Sequence, residues 1–260
     1  MTEDQRKWIY YAVPIVVVIA IGAALYYART HRAEPQPVAE TPAQPATAEP
    51  AIRYPIDDES AQEQALPPLA ESDDAVQESL SGVFGKTIEE VLVPNDIVRN
   101  VVVTVDNLPR KKTAVQRRPL HPTPGEFAVG GAEELTLSDA NYARYETVVK
   151  LAQSADAEQV AALYRRFYPL FQEAYADLGY PDGYFNDRLV EVIDHLLATP
   201  EVQGPIRLTQ PGVFYEFADP TLEERSAGQK LLIRMGPENA TVIKTKLREL
   251  RAAVASQQRQ

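Results

Sequence analysis

Apolar positions along this chain follow two patterns. From Trp8 to Ala28 they run without a charged side chain among them, and from Val76 onward they recur at steps of three and four among polar residues. The first pattern predicts one helix that crosses a bilayer, for which roughly 20 apolar residues suffice. Trp8, Tyr10 and Tyr11 mark one boundary of the run and Tyr26 and Tyr27 the other, with Arg6, Lys7, Arg29 and Arg32 just outside. Amphipathic rings and cations favour those headgroup positions. The rival is a cleaved signal peptide, which has a shorter apolar core and small residues at its cleavage site. Here Leu25, Tyr26, Tyr27, Ala28 and Arg29 close the run instead, which favours an uncleaved anchor. Basic residues balance on the two sides, so orientation rests on the short head, residues 1–7, staying in the cytoplasm while the long C-terminal part translocates.

Residues 29–68 break both patterns. Between Ala33 and Pro68 stand eight prolines among Ala, Glu, Gln and Thr, with few large apolar side chains. Such a segment buries too little surface to offset its ordering entropy, which predicts a disordered, extended linker or stalk. Pro42 to Pro45 forms a PxxP spacing, which arises freely in linkers and is read here as part of the spacer.

Helical spacing governs residues 69–255. Val76, Leu80, Val83 and Phe84 share a face that Gly85 ends, and a short turn follows over Thr87 to Val93. Asn95 is placed to cap a segment carrying Ile97, Val98, Val101, Val102, Val105 and Leu108; its valines also suit a strand, and the helix is preferred. Pro109 to Glu134 reads as a long loop. Ser138 then caps a helix through Ala152, and Asp156 opens the longest one, with Pro169 expected to bend it. Phe185 to Leu197 is the best-patterned helix. A short hairpin is expected around Thr209-Gln210-Pro211-Gly212, then a helix over Leu222 to Met235 and a last one from Pro237 to Val254. The fold class is therefore mainly α: one transmembrane helix, a Pro-rich linker and a helical bundle with one β-hairpin.

Charge narrows the function. The net charge is −11, and the helical domain shares in it, which sets aside general nucleic-acid binding because that needs a basic face. The absence of cysteine excludes disulfides without assigning a compartment. With only His31, His121 and His195 beside no cysteine, no zinc site and no cofactor is expected. Gly228-Gln229-Lys230 lacks the upstream glycine and the following Ser or Thr of a phosphate loop, and no G-x-S-x-G elbow is present.

Three groups of residues remain as candidates. Asp187, Glu191, Asp194 and His195 share the polar side of one helix, where paired carboxylates beside an imidazole can exchange protons; the plainer reading is a solvated face with an Arg188 to Glu191 ion pair. Tyr164, Tyr168, Tyr175, Tyr180 and Tyr184 have the character of a groove for a sugar or peptide, the plainer reading being core rings. Arg110, Lys111, Lys112, Arg117 and Arg118 are the dense basic cluster of an acidic chain, suited to anionic lipid, a wall polymer or an acidic partner, or to the domain's own acids.

The stretches Asn95 to Arg110, Tyr180 to Pro200 and Val213 to Ala240 resemble a family of bacterial single-span proteins catalogued as a domain of unknown function, number 3014, over about residues 66–255. The resemblance carries no catalytic residues. It implies a Gram-negative envelope protein, with the anchor in the inner membrane and the C-terminal domain in the periplasm. The expected function is an interaction or scaffold module of the envelope that contacts lipid through residues 8–28 and an envelope protein or wall polymer through the domain. The alternative is an envelope hydrolase built on the carboxylate and His set.

Overall fold

The structure, a computed structural model, describes residues 52–56, 65–131 and 133–255. The expected span Trp8 to Ala28 and most of the linker lie outside these residues. Among the described residues no helix is long and apolar enough to cross a membrane.

Ten α-helices and two small antiparallel hairpins make up the described domain. The helices are α1 (Asp73–Phe84), α2 (Thr87–Val91), α3 (Ile97–Asn107), α4 (Ala140–Ala143), α5 (Glu146–Ser154), α6 (Ala157–Asp177), α7 (Phe185–Leu197), α8 (Pro220–Glu223), α9 (Ala227–Arg234) and α10 (Pro237–Ala255). Helices α3, α6, α7 and α10 form the packed centre, α1 packing on α3 and α6, α2 on α1 and α5, and α5 and α9 on α10. Phe167, Phe185, Val98, Val102, Ile193 and Val254 are almost wholly buried there.

The valine-rich segment is helical, as α3. Its β-branched side chains disfavour a helix slightly, and burial of Ile97, Val98 and Val102 against α6 and α7 outweighs that preference. The cap differs from the expected Asn95. Asp96 takes a left-handed backbone at φ 52°, and the carboxylate of Asp73, on α1, accepts the N–H groups of Asp96 and Ile97 at 2.8 Å each. A carboxylate brought in by packing satisfies two donors at the positive end of the helix.

Two expected helices are each split. The segment after Ser138 becomes α4 and α5, because the buried Asn141 turns its side chain to Ala128, accepting from its N–H at 2.9 Å and donating to its carbonyl at 2.5 Å. Leu222 to Met235 likewise separates into α8 and α9, since Asp219 caps the first and Ser226 caps the second. By contrast, α6 continues through Pro169 as one helix.

The expected hairpin is present as β3 (Leu208–Thr209) and β4 (Glu216–Phe217), paired Leu208 to Phe217 and Thr209 to Glu216. A second hairpin pairs β1 (Val129–Gly130), inside the segment read as loop, with β2 (Thr136–Leu137) just beyond it, and a bridge from Thr136 to Arg207 joins the two hairpins. The long loop expected over Pro109 to Glu134 therefore carries a short strand, and it is also pinned by the bridge from Leu92 to Leu120.

The linker boundary moves as well. Residues 52–56, assigned to the spacer by composition, lie on the domain as a strap, with Ile56 buried in the main core. Two aliphatic side chains and a tyrosine in Ile52-Arg53-Tyr54-Pro55-Ile56 supply apolar surface that the surrounding Pro, Ala and Glu lack.

Candidate functional site

Helix α7 projects Asp187, Glu191, Asp194 and His195 from its polar side, and they go to four different partners, one on the same helix and three elsewhere in the chain. Asp187 receives the strap: its Oδ2 accepts the Arg53 N–H at 2.9 Å and its Oδ1 the Tyr54 N–H at 2.8 Å. Glu191 pairs with Arg188 at 3.1 Å. Asp194 accepts two hydrogen bonds from Arg251, at 2.5 and 2.9 Å, and those bonds hold the guanidinium more firmly charged than usual. His195 Nε2 lies 2.8 Å from Ser226 Oγ.

The His195 and Ser226 contact has the outline of a base beside a nucleophile, but its surroundings are those of a helix cap. Ser226 is buried, and its Oγ accepts the Gln229 N–H at 3.2 Å. The first N–H groups of α9, which would face a developing oxyanion, are bound to the carbonyls of Arg110 and Leu108 at 2.7 and 2.9 Å. Spacing along one helix therefore brings these side chains to one face without converging them on a reaction centre. Among the described residues no group of three His, Asp or Glu is close enough to hold a metal ion.

The tyrosines form core and not the wall of an open groove. Tyr168 and Tyr175 are buried, Tyr164 packs edge-on to Tyr168 at 5.6 Å, and Tyr175 stacks on Tyr180 at 4.7 Å. Burial pushes the hydroxyls of Tyr164, Tyr168 and Tyr175 up from the usual phenol range. Tyr184 and Tyr180 turn their hydroxyls to other chain segments, Tyr184 accepting the Ile56 N–H at 2.6 Å and Tyr180 accepting from Arg110 at 2.8 Å.

The basic cluster is largely spent on the domain's own acids and carbonyls. Arg110 bonds Asp106 at 2.6 Å and Tyr180 at 2.8 Å, Arg117 pairs with Asp96 at 3.1 Å, and the Lys111 ammonium donates to the Glu224 carbonyl. Lys112 and Arg118 stand exposed. The negative Asp106 beside it raises the proton affinity of Arg110 further.

Several residues that carry the architecture gave little signal in the sequence. Asp106 is buried between Arg188 and Arg110, 3.1 and 2.6 Å away. Its clue was a carboxylate one turn beyond Val102 with an arginine four residues on. Lys244 is also buried, donating to the Thr199 carbonyl at 2.6 Å just beyond the end of α7. It borders a cleft of about 410 Å³ between the loop 199–206 and the start of α10, with Ile206, Leu232 and Ile233 in its wall. At the tip between β3 and β4, Val213 and Phe214 are 83% and 80% exposed; the turn was expected, but their complete lack of cover was not.

No curated protein and no solved structure matches this chain. A family profile described as protein of unknown function DUF3014 matches residues 97–251, from the start of α3 into the last turns of α10. That span holds most of the packed domain and every candidate side chain on α7, and by it the chain belongs to the DUF3014 family.

Proposed function

We propose that this protein is a membrane-anchored interaction module of the bacterial cell envelope. Residues 8–28 are its single inner-membrane anchor, the proline-rich stretch is its spacer, and the helical domain faces the periplasm, where it docks a partner protein through the tip between β3 and β4. The carrying observation is that Val213 and Phe214 are 83% and 80% exposed on a hairpin whose base is locked. Leu208 and Phe217 are buried at that base, Tyr215 stacks on Phe127 at 5.5 Å, and Glu223 accepts the Phe217 N–H at 2.9 Å. A rigid base presenting two adjacent apolar side chains to water favours a cover, since each Å² removed from water contributes about 25 cal/mol. The separate commitments of Asp187, Glu191, Asp194 and His195 weigh against the hydrolase alternative.

A photo-crosslinking side chain at position 214, used in intact cells, tests this reading. Discrete protein adducts that disappear when Val213 is changed to Ser, in a chain that stays folded, are the expected result. An absence of adducts with the full-length protein expressed would overturn the docking role. A periplasm-active reporter fused after Gln260 that is expressed but silent would overturn the orientation.

A further inference from the structure

The strap is read by the domain as a ligand is read. The strap bends at Arg53 and Tyr54 and then sets its residues in turn, Tyr54 half-buried, Pro55 exposed and Ile56 buried. Its main chain is held by side chains more than a hundred positions away. Asp187 accepts from Arg53 and Tyr54, Asn186 Nδ2 donates to the Tyr54 carbonyl at 2.8 Å, and Tyr184 accepts from Ile56. Tyr54 packs against the group of Ala161, Val190 and Val254, and Ile56 enters the core beside Tyr184.

The seat is braced independently of the strap. Gln172 Oε1 accepts the Phe185 N–H and the Tyr168 hydroxyl at 2.9 Å each, its Nε2 donates to the Gly183 carbonyl at 2.7 Å, and Asn186 reaches the Val254 carbonyl at 3.1 Å. With the strap in place, Asn186 Oδ1 is buried without a hydrogen-bond donor among the described residues. Tyr184, Asn186 and Asp187 fall inside the family span 97–251, and the strap falls outside it.

We propose that the N-terminal end of α7, closed by the end of α10, is a recognition site for a short peptide carrying an aromatic residue, a proline and a branched aliphatic in succession. Residues 52–56 hold it in cis, and a like segment of a partner protein exchanges with them. The proposal goes beyond docking through Val213 and Phe214 and does not depend on it. Because the strap belongs to the same chain as the site, it competes there at the effective concentration of a tethered segment, on the order of mM for a short link. The strap therefore masks the site against a free peptide of equal intrinsic affinity.

The test uses the full-length chain in detergent micelles and a fluorescently labelled peptide, Ala-Ile-Arg-Tyr-Pro-Ile-Asp-Asp, read by anisotropy. A chain with Tyr54→Ala and Ile56→Ala, whose strap cannot compete, is expected to bind the peptide at least ten times more tightly than the wild-type chain. Adding Asp187→Ala to that variant should remove the binding. A folded strap variant that fails to bind, or binding that survives Asp187→Ala, overturns the proposal. Should the strap variant unfold, the wild-type chain decides: excess unlabelled peptide with its Arg changed to Gln, so that trypsin spares it, accelerates tryptic cleavage after Arg53 if the strap exchanges, and unchanged cleavage overturns it. None of these outcomes bears on crosslinks from position 214.

Discussion

Asp106 of α3 and Arg188 of α7 meet at 3.1 Å beneath the surface, with the aspartate side chain 4% exposed and the arginine 19%. The guanidinium also donates to the Asp106 backbone carbonyl at 3.0 Å, so one side chain ties two central helices at both main chain and carboxylate. Removing one member of a buried pair leaves the other desolvated and unpaired, which costs about 3–5 kcal/mol. Asp106→Ala is therefore expected to lower unfolding stability by roughly 3 kcal/mol. Arg110→Ala, whose side chain is 51% exposed, should cost under about 1 kcal/mol. Urea denaturation followed by far-UV circular dichroism measures both, and equal losses would refute the assignment.

Tyr164 points to the opposite kind of change. Its hydroxyl is buried and has no hydrogen-bond partner among the described residues, so Tyr164→Phe removes a desolvated polar atom and keeps the ring. Stability should hold or rise by up to about 1 kcal/mol. Tyr184→Phe, which removes the acceptor for Ile56 N–H, should fall by about the same amount. Thermal melts of the two variants compare them directly.

Gly236 is constrained twice. Its φ is +88°, and a Cβ there would lie 2.6 Å from the ring of Tyr142. Gly236→Ala is expected to destabilise by about 2 kcal/mol through backbone strain and overlap together. Gly212→Ala, where nothing lies within 4 Å of the added atom, should be close to neutral. Denaturant midpoints of the pair test the contrast.

Acid should loosen the β3–β4 hairpin before the helical centre. Burial of Glu223 raises its proton affinity, but hydrogen bonds from Lys230 and from the Phe217 N–H, with the charges of Lys230 and Arg234, overcome it and leave the carboxyl below its ordinary 4.5. A depressed carboxyl contributes stability that is present above the unfolded value and is lost as pH falls through the folded one. The loss therefore begins near 4.5 and completes below it. Amide exchange at Phe217 should accelerate over that window, and Glu223→Gln should flatten the response; an identical acid profile in that variant would remove Glu223 from the explanation.

Much of the helical order was legible because its cause is local. Val160, Leu163, Phe167 and Phe171 follow the helical period, Asp156 caps them, and Gly179 stands just beyond their end, so α6 could be placed from neighbours alone. The same reasoning overran at Ser138 and Leu222, where Asn141, Asp219 and Ser226 interrupt the helix through bonds that apolar spacing does not register. β1 and β2 were missed because strands of two residues are too short to show alternation.

The amino-acid sequence by itself determined the apolar run at 8–28, the proline-rich stretch, the mainly helical class and the polar face of α7, because composition and periodicity act between near neighbours. Only the tertiary structure decided what that face does. Asp187 meets Arg53 across 134 positions and Asp194 meets Arg251 across 57, and contacts at such separation are set by how helices pack, which no local pattern encodes. The same packing turned the tyrosine stripe into core, dispersed the basic loop among its own acids, and left Val213 and Phe214 as the apolar pair without cover.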